Sequence, residues 1–152
     1  RLTIAAGGEP PTVWESNPLR VGHQTDYKVI DPLKDSSSDH EAIYEASGDI
    51  SVLDKIVPKL KKNGEIVIAG FYSTPISFSF PPAFMKEARF RISAEFNTED
   101  INITRSLLET GALSLEGLIS HEKNVKFSNA AYRQSFEDPE CLKMVIDWRE
   151  VA

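Results

Sequence analysis

Glu15 closes the run Thr12-Val13-Trp14-Glu15, a short stretch rich in β-formers that ends on a carboxylate. At the end of a strand in a dinucleotide-binding sheet, such a side chain accepts hydrogen bonds from the adenosine ribose hydroxyls and repels the extra phosphate of NADP. An exposed glutamate at a strand end is the reading with no ligand. Arg20 is close enough in sequence to soften the exclusion of NADP. Two further segments, Ala46-Ser47-Gly48 and Gly70-Phe71-Tyr72, follow stretches that read as strands, and their glycines let backbone approach a ligand closely. Isolated glycines in turns are commonly structural, so the pair carries more than either alone.

Phe71, Tyr72, Phe78, Phe80 and Phe84 put five of the chain's twelve Phe and Tyr residues within fourteen positions. Such a cluster can wall a site for a large flat ring system. The plainer reading is core filling, expected of Phe84 at least. Glu95, near the end of another strand, is a candidate polar contact. His23, His40 and His121 show no metal-ligand spacing with Cys141 or with one another, and read as surface or structural residues. No Ser/His/Asp arrangement or paired-carboxylate spacing stands out, so neither a catalytic base nor a metal site is assigned.

The elements that must position these residues centre on positions 41–70. Glu41 to Glu45 reads as a strand, Ala46 to Gly48 as a tight turn, and Ile50 to Lys62 as an amphipathic helix with Val52, Leu53, Ile56, Val57 and Leu60 on one face. Pro58 should kink or shorten that helix. Asn63-Gly64 is a turn and Glu65 to Ala69 a buried strand, which completes a βαβ unit of a parallel sheet with both turns at the carboxyl edge where open α/β sheets hold ligands.

Upstream, Arg1 to Gly8 resembles the last turns of a helix closed by a glycine cap, so the chain is expected to begin inside an element and to be a fragment. Pro18 opens a short helix to about Gly22, Tyr27 to Asp31 is a second strand, and the serine-rich stretch to His40 is a loop or ragged helix. Downstream, Phe71 to Pro82 is an apolar loop, Ala83 to Ala88 a short helix, Arg89 to Phe96 a strand, and Thr98 to Gly111 a helix with an acidic first turn. Leu113 to Leu118 is a helical turn, Lys126 to Phe136 a helix and Lys143 to Trp148 a strand.

The 152 residues are 41% hydrophobic and 26% charged with a net charge of −6, ordinary globular composition and enough for one core. Net acidity without a Lys/Arg-rich run argues against a nucleic-acid or anionic-membrane surface. No apolar run approaches the roughly 20 residues of a bilayer span. A single cysteine forms no internal disulfide, which favours a reducing, cytoplasmic compartment and leaves Cys141 as core filler.

Taken in order, Thr12 to Glu15, Tyr44 to Gly48, Gly64 to Gly70, Lys86 to Ile92 and Gly117 to His121 resemble the C-terminal half of medium-chain dehydrogenases. Pro11 to Glu15, Ala69 to Ser73, Phe80 to Arg89 and Asp138 to Met144 are similar to the branch of that superfamily that serves bacteriochlorophyll synthesis. The resemblance implies an α/β fold, a partial Rossmann-type parallel sheet with flanking helices. Residues 1–111 are then a partial NAD-binding domain, and residues 112–152 a segment completing a separate catalytic domain. It implies NAD-dependent oxidation of the 3-(1-hydroxyethyl) group of a bacteriochlorophyllide-type tetrapyrrole to 3-acetyl. For such a substrate, the density of aromatic residues beside Gly70 makes Phe71, Tyr72, Phe78 and Phe80 the expected wall for the macrocycle.

The resemblance also places Glu15 on the adenosine ribose, Ala46, Ser47 and Gly48 beside the adenosine half, and Gly70, Phe71, Tyr72, Ala94, Glu95 and Phe96 near the nicotinamide. Related enzymes often use zinc, bound by residues of the N-terminal half. A homodimer is the expected assembly. In this fold the strand before the glycine-rich turn lies in mid-sheet, so the sheet is expected to show a central gap and the chain alone little activity. The rival readings are another medium-chain alcohol dehydrogenase, a methyltransferase with a nucleoside cofactor, and a non-catalytic binding module.

Overall fold

The structure is a computed structural model that describes residues 1–20, 26–93 and 95–149. The chain packs as two compact units, one formed by Arg1–Asp35 with Thr98–Ala152 and the other by Ser36–Asn97.

The first unit begins with a single helical turn, α1 (Leu2–Ala5), which ends at the expected glycines as Gly7 N donates to the Ile4 carbonyl at 2.9 Å. Strands β1 (Thr12–Trp14) and β2 (Lys28–Ile30) pair in parallel with Val13 opposite Val29. Donation from Glu15 N to the Ile30 carbonyl at 3.1 Å carries the ladder one residue further. The helix expected from Pro18 is a turn at 18–20, and its remaining residues Val21 and Gly22 lie outside the described residues, as does His23. After β2 a short 3-10 turn, Pro32–Lys34, is capped by Asp31, whose Oδ1 accepts from Leu33 N at 2.9 Å.

The second unit holds the βαβ element. Strands β3 (His40–Glu45), β4 (Leu60–Ile68) and β5 (Arg89–Ile92) form an all-parallel sheet in that order, with Tyr44 opposite Val67 and Val67 opposite Arg91. Between β3 and β4 the helical segment is shorter than expected. A 3-10 turn Ile50–Val52 leads into α2 (Leu53–Ile56), and Pro58 sits in a second 3-10 turn, Val57–Lys59. Proline has no N–H for the helical ladder and its ring clashes with the preceding turn, so the helix cannot continue to Lys62. Leu60 to Asn63 extend β4 instead, and the register shifts between His40 and Ala42 where Asn63 takes a φ of +64°.

The expected apolar face is the core of this unit. Leu53, Ile56, Val57 and Leu60 are at most 3% exposed and are buried along with Ile66, Val67 and Ile68 of β4. Helix α3 (Phe80–Lys86) starts on Pro81 and Pro82 and ends where Glu87 turns left-handed at φ +49°. It buries Ala83, while Phe84 is 65% exposed. The expectation that Phe84 fills core is therefore corrected: this short helix turns its small residue inward and leaves Phe84 beside Phe80, ring centroids 5.7 Å apart. Strand β5 stops at Ile92, four residues before the expected end.

The chain then returns to the first unit through α4 (Thr98–Glu109), β6 (His121–Asn124), α5 (Ser128–Glu137) and β7 (Met144–Asp147). Strands β6 and β7 pair in parallel with His121 opposite Met144. The expected helical turn at 113–118 reduces to a turn at 116–118, and β6 was not anticipated. Leu113, Ala131 and Cys141 are buried, Cys141 as the core residue expected. The boundary expected at 111/112 falls inside this unit.

All described strand pairs are parallel, which fits the expected α/β class. Among the described residues they form three sheets, β1-β2, β3-β4-β5 and β6-β7. Among the described residues no helix is long and apolar enough to cross a membrane.

Candidate functional site

The candidate residues fall in two places, one in each unit. In the first, Glu15 follows the end of β1 as placed from its sequence. Its Oε1 accepts from Asn17 N at 2.8 Å, and Oε2 lies 3.9 Å from an Arg20 guanidinium nitrogen with both side chains half-buried. Arg20 is held on its other side. Its Nε donates to the Pro139 carbonyl at 2.8 Å and a terminal nitrogen to the Cys141 carbonyl at 3.2 Å, while the Asn17 side-chain amide also donates to Pro139. These carbonyls draw Arg20 into a brace between Glu15 and the 139–141 segment.

That segment is anchored in turn by Asp138. Gln134 donates to its Oδ2 at 3.0 Å, Glu140 N to its Oδ1 at 2.9 Å, and His121 Nε2 lies 3.4 Å from Oδ2. The Gln134 bond first, then the Glu140 N–H, hold the Asp138 carboxyl below the usual aspartate value, with His121 and Arg20 adding a smaller pull. His121 is thus a structural partner, and His40 likewise meets the Ser37 hydroxyl at 3.1 Å.

In the second unit, Ala46, Ser47 and Gly48 follow β3, and Gly70, Phe71 and Tyr72 follow β4, so the parallel pairing brings both turns to one edge. The two turns touch. Gly48 has a φ of +73°, and a β-carbon on it would meet the Phe71 carbonyl oxygen at 2.8 Å. A β-carbon on Gly70 would stand 2.7 Å from Gly48 N and 3.1 Å from Glu45 Oε2. Glycine is required at both positions for this approach. The Glu45 carbonyl ties the turns together by accepting from Ala69 N at 2.8 Å and Gly70 N at 3.0 Å.

Glu45 was not among the residues singled out from the sequence. It is the one buried charged side chain among the described residues, 3% exposed at the last position of β3. Its Oε1 accepts from Ser47 N at 2.7 Å and from the Ser47 hydroxyl, and its Oε2 has no hydrogen-bond partner. A strand-end glutamate followed two residues later by serine was the available signal, because that spacing lets a carboxyl turn back on the i+2 N–H. Beyond it Ser47 Oγ accepts from Asp49 N at 3.0 Å and Asp49 caps the next turn through Ser51 N, bonds with Ser51 that lower the Asp49 pKa.

The aromatic cluster is divided. Phe78 stacks on Phe90 of β5, with ring centroids 4.5 Å apart and 19° between planes. Phe71 and Phe80 are exposed, and Tyr72 is half-buried with its hydroxyl enclosed and unpartnered. Glu95 and Phe96 are exposed residues beyond the end of β5, and Ala94 lies outside the described residues. Among the described residues no group of three or more His, Cys, Asp or Glu is gathered to hold a metal ion.

No protein-family model matches the chain. The chain is 55% identical over all 152 residues to the 2-desacetyl-2-hydroxyethyl bacteriochlorophyllide A dehydrogenase of Cereibacter sphaeroides, of which it covers 48%. It spans about half the length of the curated relatives it matches. Among solved structures, L-idonate 5-dehydrogenase from Escherichia coli superposes with a TM-score of 0.82 at 19% identity, over 95% of this chain and 44% of that one. An Escherichia coli alcohol dehydrogenase solved with NADH superposes with a TM-score of 0.81 at 18% identity, over 97% and 47%. By sequence the chain resembles about half of a bacteriochlorophyllide dehydrogenase, and its fold is similar to somewhat under half of these solved dehydrogenase chains.

Proposed function

We propose that this chain supplies much of the NAD-binding part of an enzyme that oxidises the 3-(1-hydroxyethyl) group of a bacteriochlorophyllide to 3-acetyl, in bacteriochlorophyll synthesis for photosynthesis. The observation that carries the reading is the contact between Gly48 and Gly70 at the carboxyl edge of β3 and β4. It brings the backbone of the two turns into direct contact at the place where open parallel sheets bind ligands. The identity with the Cereibacter sphaeroides protein, whose name gives its substrate, supports the rest.

In this reading the Glu15 carboxyl accepts from the adenosine ribose hydroxyls. Arg20, held by the Pro139 and Cys141 carbonyls, steadies Glu15 and is not offered to a second phosphate, which favours NAD over NADP. The turn at 46–48 lines the adenosine half, and Gly70 to Tyr72 with Ala94, Glu95 and Phe96 line the nicotinamide half. Bound nicotinamide supplies the chemistry by accepting hydride from the carbinol carbon. This chain's residues bind and orient, and the catalytic base and any zinc ligands are assigned to none of them.

Phe71, Tyr72, Phe78 and Phe80 form the wall for the macrocycle. The exposed Phe71 and Phe80 carry most of that contact, since Phe78 is engaged by Phe90. Residues 112–152 complete the catalytic domain, and the enzyme works as a cytoplasmic homodimer.

Calorimetric titration of the full-length protein with NAD, NADP and a methyl donor tests the cofactor. Binding of NAD ahead of the other two is expected, and preference for the methyl donor would replace this reading with a methyltransferase. Pigment binding after Tyr72→Ala and Phe80→Ala tests the wall; unchanged affinity in both would remove it.

A further inference from the structure

Glu45 has an environment that packing alone does not require. It sits at the core end of β3, where an apolar residue would be buried at less desolvation cost, yet it presents a carboxyl. That carboxyl does local work on one turn and its main chain does the same on the other. Through Oε1 it holds Ser47 by both N–H and hydroxyl, which fixes the 46–48 turn. Through its carbonyl it holds Ala69 N and Gly70 N, which fixes the start of the 70–72 turn. Its unpartnered Oε2 lies toward Gly70, 3.1 Å from where a β-carbon there would stand.

We infer that Glu45 is a positioning residue that sets the two strand-end turns as one receiving edge for both halves of the dinucleotide, an inference that rests on the cofactor reading above. The carboxyl does not touch the cofactor. It fixes the spacing between Gly48 and Gly70, and with it the spacing between the segments that meet the adenosine and nicotinamide halves. Removing the carboxyl frees the 46–48 turn from the strand that carries it. The energy of dinucleotide binding is then spent on re-forming the edge, so affinity falls.

The replacement Glu45→Gln separates this role from simple packing, because it keeps the shape and one acceptor while placing an amide N–H group against Gly70 with no acceptor there. In the full-length enzyme, Glu45→Gln is expected to raise the KM and the Kd for NAD about tenfold, the scale of a disrupted hydrogen bond to a charged group. The KM for the pigment alcohol is expected to rise less than that for NAD, because the carboxyl holds the 46–48 turn directly while the 70–72 turn is held by the Glu45 main chain, which Gln keeps. A role confined to stability would instead reduce the active fraction at an unchanged KM for NAD.

Ser47→Ala removes the hydroxyl donor but keeps the N–H, and is expected to raise the KM for NAD by about threefold. Ser47→Thr, which retains both donors, is expected to restore affinity. If Glu45→Gln does not fold, the two Ser47 variants decide the matter. Unchanged NAD affinity in the folded variants, while the unsubstituted enzyme binds NAD, would overturn the inference and leave the cofactor reading standing. Failure of the unsubstituted enzyme to bind NAD would overturn the cofactor reading, and this inference with it.

Discussion

Gly48 and Gly70 approach so closely that a β-carbon on Gly70 would lie 2.7 Å from the Gly48 nitrogen and 3.0 Å from its α-carbon. Both atoms are backbone, so neither can rotate away as a flexible side chain would. The turn after β3 and the turn after β4 therefore constrain each other. Gly70→Ala is expected to destabilise the protein by about 1–3 kcal/mol, the usual cost of forcing atoms into a packed site. Urea unfolding of the variant checks this; an unchanged midpoint would show that the turns separate freely.

The Ser36–Asn97 unit rests on a compact apolar stripe. Leu53 is fully buried together with Ile56, Val57 and Leu60. Leu53→Ala is expected to cost about 2–5 kcal/mol through lost burial and the cavity left behind. The adjacent Val52 is half-buried, so Val52→Ala should cost less. Denaturant midpoints of the two variants make the comparison, and equal losses would contradict the burial pattern.

Coenzyme preference should depend on Glu15. Replacing it by Gln removes the negative charge that a second phosphate would meet, and is expected to reduce the preference for NAD over NADP by about tenfold in kcat/KM. Arg20→Ala should not improve the use of NAD relative to NADP, because Arg20 is held by Pro139 and Cys141 and braces Glu15. Steady-state kinetics of the full-length enzyme with both coenzymes measures these ratios.

Acid stability should report on Asp138. Its pKa is lowered in the folded protein, first by the bond from Gln134 and then by that from Glu140 N. A depressed folded-state pKa means that the stabilisation is fully present above the unfolded value, about 4, and is lost as pH falls through the lower folded value. Asp138→Asn should weaken the protein above that value and flatten its dependence on pH below it. Unfolding free energies measured as a pH series test the sign. A variant that loses stability equally at all pH would show that the bonds matter through shape rather than charge.

Much of this architecture is legible in the residues. The Leu53, Ile56, Val57, Leu60 stripe marks the buried face, Pro58 marks where the helix must stop, and the glycines mark where two turns meet. Strand β6 was not legible because His121, Glu122, Lys123 and Asn124 carry no apolar alternation. Their strand state comes from pairing with Met144–Asp147, a partner twenty-odd residues away. Phe84 misled because hydrophobicity says what a side chain prefers, while the orientation of a seven-residue helix decides what it receives. Glu45 escaped notice because a charged residue at a strand end is ordinarily solvated, and only the Ser47 contacts show that it turns inward.

The brace at Glu15 joins residues that emerge far apart during synthesis. The Ser36–Asn97 unit is a continuous stretch and can close its core as soon as β5 is made, whereas the other unit needs both sides of that stretch. Arg20 finds the Pro139 and Cys141 carbonyls about 120 positions later. Long-range closure of this kind is slow and leaves its early half exposed while it waits. Glu15 therefore waits for the whole Ser36–Asn97 stretch and α4, β6 and α5 to be made before the carbonyls that hold its partner Arg20 are in place.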